Sequence, residues 1–280
     1  MTIDVEDYFQ VSAFEDKFDP KNWDDIAPRV ETNTNKLLDL FSEYDAKATF
    51  FTLGWVAERF PELIKRISSE GHEVASHGTM HRRATDQTAL EFRQDVGKAK
   101  KLLEDLTGKP VLGYRAPSFS FTRQNEWVYE VLESEGYIYS SSVYPVIHDH
   151  YGIPDAPRFK YATHTSVDEI PLSTLTYFGR NVPISGGGYF RLYPYLFTQR
   201  AIKRLTKNEN QPYIFYLHPW EVDLDQPRVP HISAKTQFRH YLNLKHVEAR
   251  LTRLLLDFRW SSMADVYGYD VPDMCLDLHK

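Results

Sequence analysis

The stretch "GHEVASHGTMH" (residues 71–81) holds a helix-ending glycine, a short strand and a pair of histidines, in that order. Gly71 is typical of a helix C-terminus, and "HEVASH" (72–77) predicts the strand that follows it. His77 and His81 stand where this strand ends. The stretch therefore predicts a strand with two imidazoles at its carboxyl end.

Strands and helices alternate on both sides of this stretch. The predicted strands are 2–6, 47–53, 72–77, 111–117, 137–142 and segments around 168–172 and 213–218, and the predicted helices are 32–44, 54–69 with Pro61 beginning its second half, 87–106, 124–135, 195–207 and 238–257. Such alternation is typical of βα units around a parallel sheet or barrel. The sequence therefore predicts an α/β fold.

Residues 143–194 lack this rhythm and are rich in Pro, Gly and Tyr, as in "SGGGYFRLYP" (185–194). We interpret them as long active-site loops with short strands, because long irregular stretches inside compact folds tend to be functional. The expected organisation is one domain over residues 1–280. It comprises a motif-bearing core of about 2–221 and a helical extension of about 222–280.

Four polar clusters end predicted strands: residues 4–7, residues 77–81, Arg115 and His218. The carboxyl ends of parallel strands share one face of a barrel, so these clusters are expected to converge there. That convergence predicts an active site more strongly than any single cluster does.

Neutral imidazoles four residues apart, as in His77 and His81, can face one divalent ion, and a carboxylate would complete a site with open positions. Two polar loop histidines are the plainer alternative. The zinc-protease pattern is disfavoured, because "HGTMH" lacks a Glu after the first His. Non-haem iron oxygenases also use two histidines and one carboxylate, so the trio alone leaves the reaction open.

The stretch "IDVED" offers the carboxylate. Because strand side chains alternate, Asp4 and Glu6 are expected on one side and Asp7 on the other. Like charges on one face repel unless a cation or a proton separates them. An ordinary acidic turn after a strand is the alternative.

Arg115 in "YRAPSFS" can fix a carboxylate through paired hydrogen bonds and keep it ionised. His218 in "FYLHPWEVD" follows an apolar strand, and its imidazole could protonate a leaving group. A surface arginine and a core-edge histidine are the alternative interpretations.

Composition excludes several classes. A net charge of −6 without a Lys/Arg-rich run makes nucleic acid an unlikely partner. The single Cys275 cannot form an internal disulfide or a thiolate cluster. The sequence offers neither a membrane span nor a signal peptide at "MTIDVEDYFQ", so we expect a cytoplasmic, at most membrane-peripheral protein, or a cell-envelope protein where a leader precedes this sequence.

The ordered segments "TIDVEDYF", "KATFF", "GHEVASHGTMH", "GYRAPSFS", "GYIYSSS" and "YLHPW" resemble the motifs of the polysaccharide deacetylase family (NodB homology, carbohydrate esterase family 4). Agreement runs from residue 2 to about 221. "DVEDYFQVSAFE" and the tail after "HPWEVDLDQPR" resemble, more narrowly, deacetylases of exopolysaccharide and exosortase (PEP-CTERM) loci.

The resemblance implies a distorted (β/α) barrel with fewer than eight units that hydrolyses N-acetyl groups of a glycan with one divalent metal ion, usually zinc. It implies Asp4 as general base, held by Arg115, and His218 as general acid. His77 and His81 would be metal ligands.

Two positions depart from the family pattern. Members commonly have two adjacent Asp residues in the first motif, the second being the ligand, whereas Val5 stands there. Relatives with an Asp-x-Asp/Glu pattern place the ligand two residues after the base, which selects Glu6 over Asp7. The second departure is Ser140, where "YDSS" is more usual than "YSSS", so an Asp that often orients the site is missing.

The expected substrate contacts are Tyr189, Trp220 and Pro117, with the glycines of 185–194 letting backbone approach a sugar. Two other functions stay open at this point. One is a metal-independent cyclic-amide hydrolase of the same fold, and the other is a catalytically silent glycan-binding protein, suggested by Val5 and Ser140.

Overall fold

The computed structural model describes residues 1–149 and 151–269 of the chain. Cys275 lies outside the described residues. Among the described residues, no helix combines the length and the apolar character that crossing a bilayer requires.

Ten strands lie within the part of the chain that the structure describes: β1 (Thr2–Val5), β2 (Thr49–Thr52), β3 (Glu73–Ser76), β4 (Gly113–Tyr114), β5 (Tyr139–Ser140), β6 (Tyr161–Ala162), β7 (Asp168–Glu169), β8 (Thr174–Tyr177), β9 (Arg180–Pro183) and β10 (Tyr216–Leu217). Eight of them form one sheet in the order β10-β1-β2-β3-β4-β5-β7-β6, and β8 pairs with β9. All pairs of the large sheet are parallel except β6 with β7. The predicted α/β class, a distorted barrel with fewer than eight units, is confirmed.

The described residues contain ten α-helices: α1 (Val30–Glu43), α2 (Gly54–Arg59), α3 (Pro61–Ser69), α4 (Ala89–Thr107), α5 (Val128–Ser134), α6 (Gly187–Leu192), α7 (Tyr195–Lys203), α8 (Ala234–Tyr241), α9 (Val247–Asp257) and α10 (Met263–Tyr267). Local signals define α4 well. Thr88 and Glu91 form a capping box at its start, and Gly108 ends it with φ +65°. Pro61 separates α2 from α3, as predicted.

Two predictions about helices were wrong. The segment 185–194, interpreted as loop, contains α6, and the helix predicted over 238–257 is two helices. Asn243 has φ +53° between α8 and α9, a left-handed conformation that interrupts helical hydrogen bonding. Leu251, Leu254 and Leu255 lie in α9, whereas Leu242 and Leu244 lie in the connection between the two helices.

The β8–β9 hairpin forms a separate two-stranded sheet, and serine side chains at its two ends link it to the segment before β10. The Ile214 amide donates to Ser173 Oγ at 2.8 Å, and the Ile184 amide donates to the Ser173 carbonyl at 3.4 Å. Ser185 Oγ donates to the carbonyl of Ile214. Side chains thus link these segments where the strands themselves do not pair.

Side chains of β1 alternate between two buried regions. Ile3 and Val5 lie in a large apolar cluster that also includes residues of α1, α4 and α9. Thr2 and Asp4 instead contact the buried Arg115. The barrel interior therefore receives the polar side of β1, and the helices cover its apolar side. A single domain over residues 1–280 remains a prediction.

Candidate active site

The carboxyl ends of β1, β3, β4 and β10 bring the predicted catalytic and metal-binding side chains together. These are Asp4, Glu6, His77, His81, Arg115 and His218. His218 Nε2 lies 4.0 Å from Asp4 Oδ2 and 3.4 Å from Glu6 Oε1. The residues therefore share one small site although the chain separates them by up to 214 positions (218 − 4).

Glu6, His77 and His81 form a trio suited to a cation. One ligand atom from each lies within 4.8 Å of the other two. Glu6 Oε2 is 2.7 Å from His81 Nε2, yet this buried oxygen makes no hydrogen bond of acceptable geometry. A buried carboxylate oxygen without a donor is costly, and a divalent ion would satisfy it. The residues present therefore fit a metal ion.

His77 is oriented by the backbone. Its Nδ1 lies 2.7 Å from the carbonyl oxygen of Arg115, so a proton on Nδ1 leaves the Nε2 lone pair free. Burial lowers the pKa of His77 to about 4. The ring is therefore neutral near pH 7, as metal ligation requires.

A tight turn carries His81 back toward His77. Gly78 has φ +74°, and a Cβ there would lie 2.5 Å from Asp95 Oδ2. Asp95 in turn accepts a hydrogen bond from the Thr79 amide at 3.1 Å. His81 itself has φ +53°, an unusual backbone conformation for this residue type. The turn thus places both imidazoles at one point.

Asp7 does not join this trio, because its carboxylate caps backbone. It accepts from the amides of Tyr8 at 2.8 Å and Val30 at 2.8 Å, and from that of Arg29 at 2.5 Å. Those bonds tie the end of β1 to the start of α1. Glu6, with its unpaired oxygen, is the carboxylate available to a metal.

Arg115 holds Asp4 in the barrel interior. Its Nη1 donates to Asp4 Oδ1 at 2.7 Å and to Thr2 Oγ1 at 2.8 Å. Its Nε and Nη2 donate to the carbonyl and the hydroxyl of Ser141, both at 3.0 Å. The guanidinium is fully buried over the Phe51 ring. Asp4 is therefore fixed by one oxygen, and its other oxygen faces His218.

His218 is held by a carboxylate that sequence reasoning left without a role. Its Nδ1 is 2.9 Å from Glu221 Oε1, and Arg191 Nε donates to Glu221 Oε2 at 2.8 Å. Burial alone would lower the pKa of His218. The hydrogen bond to Glu221 and the charges of Glu6 and Asp4 instead raise this pKa to about 9. His218 is therefore suited to donate a proton.

The glycines of "SGGGYFRLYP" serve this network. A Cβ at Gly187 would lie 2.0 Å from both carboxylate oxygens of Glu221. Gly186 has φ +98°, and a Cβ there would lie 2.5 Å from the Tyr216 ring. These glycines therefore allow α6 to approach Glu221 and Tyr216, and the expected approach of their backbone to a sugar stays a prediction.

Gly187→Ala should lower the melting temperature, because the added methyl group must displace the Glu221 carboxylate. The expected cost is about 1–3 kcal/mol, typical of overpacking. Gly188→Ala is the matched control, since nothing lies within 4 Å of a Cβ there. It should be neutral or stabilising by up to about 1 kcal/mol. Thermal unfolding followed by circular dichroism compares them, and equal melting temperatures would contradict this packing.

Trp220 is buried, and two imidazole rings stack on its indole. The His218 ring lies at 5.0 Å and the His240 ring at 4.2 Å between centroids. The indole therefore packs against His218, and the expected contact of Trp220 with the substrate stays a prediction.

The other two expected substrate contacts differ in exposure. Pro117 is buried and begins a short turn in which Ser118 and Phe119 both have positive φ. Phe119 packs on Tyr216 at 5.0 Å between ring centroids. Tyr189, by contrast, is half-buried and stacks on Tyr193. Tyr189 therefore keeps exposed surface for contact with a ligand, whereas Pro117 is buried and begins the turn that positions Phe119.

The serines of "YSSS" take part in a hydrogen-bond network with Glu169. The Ser140 hydroxyl donates to Ser142 Oγ at 2.8 Å, and Glu169 accepts from the amides of Ser142 and Val143 at 2.8 and 2.9 Å. Ser140 therefore stands in a fully buried polar network next to Ser141, which holds Arg115.

Comparison with known proteins agrees with this site. Residues 21–137 match the family model for polysaccharide deacetylase, and residues 141–268 match a domain of unknown function (DUF3473). A Helicobacter pylori peptidoglycan deacetylase is 36% identical over 113 residues, which cover 40% of this chain and 38% of that relative. A Bacillus cereus peptidoglycan-N-acetylglucosamine deacetylase is 33% identical over 106 residues, covering 38% of this chain and 48% of that relative. The match thus spans less than half of either relative.

The fold extends further than the sequence match. A crystal structure of a Mycobacterium smegmatis protein assigned as a polysaccharide deacetylase superposes with a TM-score of 0.61 at 19% identity, covering 96% of this chain and 88% of that chain. At this identity the likeness concerns the fold alone. The family model over residues 21–137 and the curated relatives confirm the resemblance to the polysaccharide deacetylase (NodB-homology, carbohydrate esterase family 4) family that the motifs predicted, and the fold agrees with it.

Proposed function

We propose that this protein is a metal-dependent hydrolase that removes N-acetyl groups from N-acetylhexosamine units of a bacterial exopolysaccharide or its precursor. One observation carries the proposal: the Glu6 carboxylate and two imidazoles converge beside Asp4 and His218. A base and an acid beside a cation site are what amide hydrolysis needs.

Glu6, His77 and His81 would hold the ion. Two nitrogens and one carboxylate oxygen suit zinc, and a three-residue site leaves positions open for water and substrate. A bound ion would polarise the acetyl carbonyl and lower the pKa of a water molecule.

Asp4 would take the proton of the attacking water. Arg115 occupies one carboxylate oxygen of Asp4, so the other oxygen is available for that proton. His218 would then protonate the departing amine. Glu221 and Arg191 would position His218, because Glu221 accepts from its Nδ1 and leaves Nε2 facing the site.

The substrate class rests on two kinds of support. The curated relatives carry names that specify peptidoglycan and its N-acetylglucosamine. The motif of residues 4–15 and the tail after residue 228 resemble deacetylases of exopolysaccharide loci. A cytoplasmic location would imply a lipid-linked or precursor glycan, whereas a cell-envelope location would imply the finished polymer.

An acetate-release assay tests the proposal. The purified protein is expected to release acetate from N-acetylglucosamine oligomers and, faster, from exopolysaccharide of the host. Chelation should abolish release, and zinc should restore it. Sugar binding without acetate release would indicate a silent glycan-binding protein, and full activity after complete metal removal would indicate a metal-independent hydrolase.

Glu221→Gln should lower kcat on the N-acetylated glycan by roughly 10- to 100-fold, because His218 loses the carboxylate that orients it and favours its protonated form. Hydrolysis of an aryl acetate ester by the same variant distinguishes loss of the general acid from general damage to the site. Its phenolate leaves without a proton, so its hydrolysis should fall much less. Glu209→Gln, which removes an ion pair with Arg158 elsewhere, is the matched control. Equal losses on both substrates would argue against the acid role of His218.

A further inference from the structure

Residues 170–208 contain six Lys and Arg residues and no Asp or Glu, in a chain whose net charge is −6. One of the six, Arg191, is buried against Glu221. The others are exposed, and they are Arg180, Arg200, Lys203, Arg204 and Lys207. Positive charge is thus concentrated on one segment of an otherwise acidic protein.

These five cations have no direct counter-ion among the described residues. Within residues 1–149 and 151–269, no carboxylate lies within 4.0 Å of any of them, whereas the nearby Arg158 pairs with Glu209 at 2.7 Å. Asp257 is close enough for Lys203 to lower its pKa, but this carboxylate is engaged by Tyr195 and Gln199. The cations are therefore available to an external anion.

The cations share a surface. Leu196, Arg200 and Lys203 follow i, i+4, i+7 spacing on α7 and are all exposed, so they lie on one helix face. Arg204 joins this helix to the β8–β9 hairpin, since its guanidinium lies 4.7 Å from the centre of the Tyr177 ring. We call the exposed residues 177–180, 196, 200, 203, 204 and 207 the basic face.

Phe178 is the most exposed large apolar side chain of the described residues. It occupies the first position of a two-residue hairpin loop, with φ +49°, followed by Gly179 with φ +74°. Asn or Asp is preferred at this position, because a left-handed backbone disfavours a bulky residue. Neither packing nor the conformation of the turn explains a phenylalanine at position 178. Its exposure points to contact with an apolar environment outside the protein.

We propose that the basic face binds an anionic phospholipid surface, with Phe178 at the interface and the five cations over the headgroups. Charge complementarity supports an anionic partner, and the exposed Phe178 and Leu196 favour lipid over a polyanionic glycan, which offers no hydrocarbon phase. The proposal goes beyond deacetylation, since it requires neither the metal nor the catalytic residues. Binding would be peripheral and reversible.

Vesicle sedimentation tests this directly. The full chain should bind vesicles of phosphatidylcholine mixed in equal parts with phosphatidylglycerol, bind pure phosphatidylcholine weakly, and dissociate as salt is raised. Lys203→Gln with Lys207→Gln should reduce the partition coefficient by roughly 10- to 30-fold, since each cation near an anionic surface contributes about fivefold. Phe178→Asn, which suits the turn, should reduce it by roughly fivefold or more without lowering the melting temperature.

Matched controls are Lys21→Gln with Lys245→Gln, which change the net charge equally, and Leu90→Gln, which removes another exposed apolar side chain. These variants should bind like the unaltered protein. Equal binding to both vesicle types, or equal losses in the control variants, would overturn the proposal. Salt-sensitive binding to an anionic polysaccharide without vesicle binding would also overturn it and reassign the face to a glycan.

Discussion

Asp4→Asn is expected to lower the rate of acetate release by roughly 10²- to 10⁴-fold, the range typical for loss of a general base. An asparagine keeps the oxygen that accepts from Arg115 but cannot take a proton from water. Metal content should stay at the level of the unaltered protein, because Asp4 is not among the three converging ligands. The measurement pairs a rate on N-acetylated oligomers with elemental analysis of the same preparation.

Two controls keep this experiment decisive. Arg115 would lose its buried counter-ion, so the variant should be less stable, and circular dichroism must show that it is folded at the assay temperature. Asp16→Asn, at an exposed position, should change neither rate nor metal content. Near-normal acetate release by folded Asp4→Asn protein would contradict the base role.

Glu6→Gln is expected to weaken metal binding by at least about 100-fold, since the loss of a direct ligand should exceed the 10- to 100-fold loss typical of an outer-shell partner. Activity should fall with the metal content and recover in part at high zinc concentration. The dissociation constant follows from competition with a chromophoric chelator. Glu6 and glutamine have nearly the same size, so this comparison isolates the carboxylate charge.

Asp7→Asn provides the matched control next door. An asparagine cannot accept all three backbone hydrogen bonds that Asp7 receives, so stability should fall by about 1–3 kcal/mol. Metal affinity should change little. The reverse result would be metal loss in Asp7→Asn and metal retention in Glu6→Gln. It would show that Asp7, not Glu6, is the carboxylate ligand.

The βα core was predictable because local signals and burial agree there. Gly71 and Gly108 end helices with positive φ, and Thr88 with Glu91 begins one. The period-two argument also applied to the end of β1, where Asp4 and Glu6 face the site and Asp7 faces α1. Such features depend on residues close in sequence.

The contacts that hold His218, the proposed general acid, were harder to predict because they join residues far apart in sequence. Arg191 and Glu221 are separated by 30 positions, and the glycines beside Arg191 suggested a loop. Gly187 is instead required by helix packing against Glu221. A signal was present in "HPWE": Glu221 stands three residues after His218, the spacing of a capping box, which the structure contains.

The two matched family models cover different parts of the candidate site. The candidate ligands His77 and His81 and the arginine Arg115 fall within the polysaccharide deacetylase match, whereas His218 and Glu221 fall within the domain of unknown function. Asp4 and Glu6 precede both matches. The domain of unknown function therefore contributes His218 and Glu221 to the candidate active site, through β10 and the turn after it.

The account depends most on a metal ion bound by Glu6, His77 and His81 beside an unligated Asp4. Anomalous diffraction from zinc-loaded crystals, recorded on either side of the zinc absorption edge, measures this directly. The account predicts one strong peak in contact with Glu6 Oε2 and with a nitrogen of each histidine, while Asp4 stays on Arg115. A peak at other side chains, or none here in crystals of active protein, would contradict it.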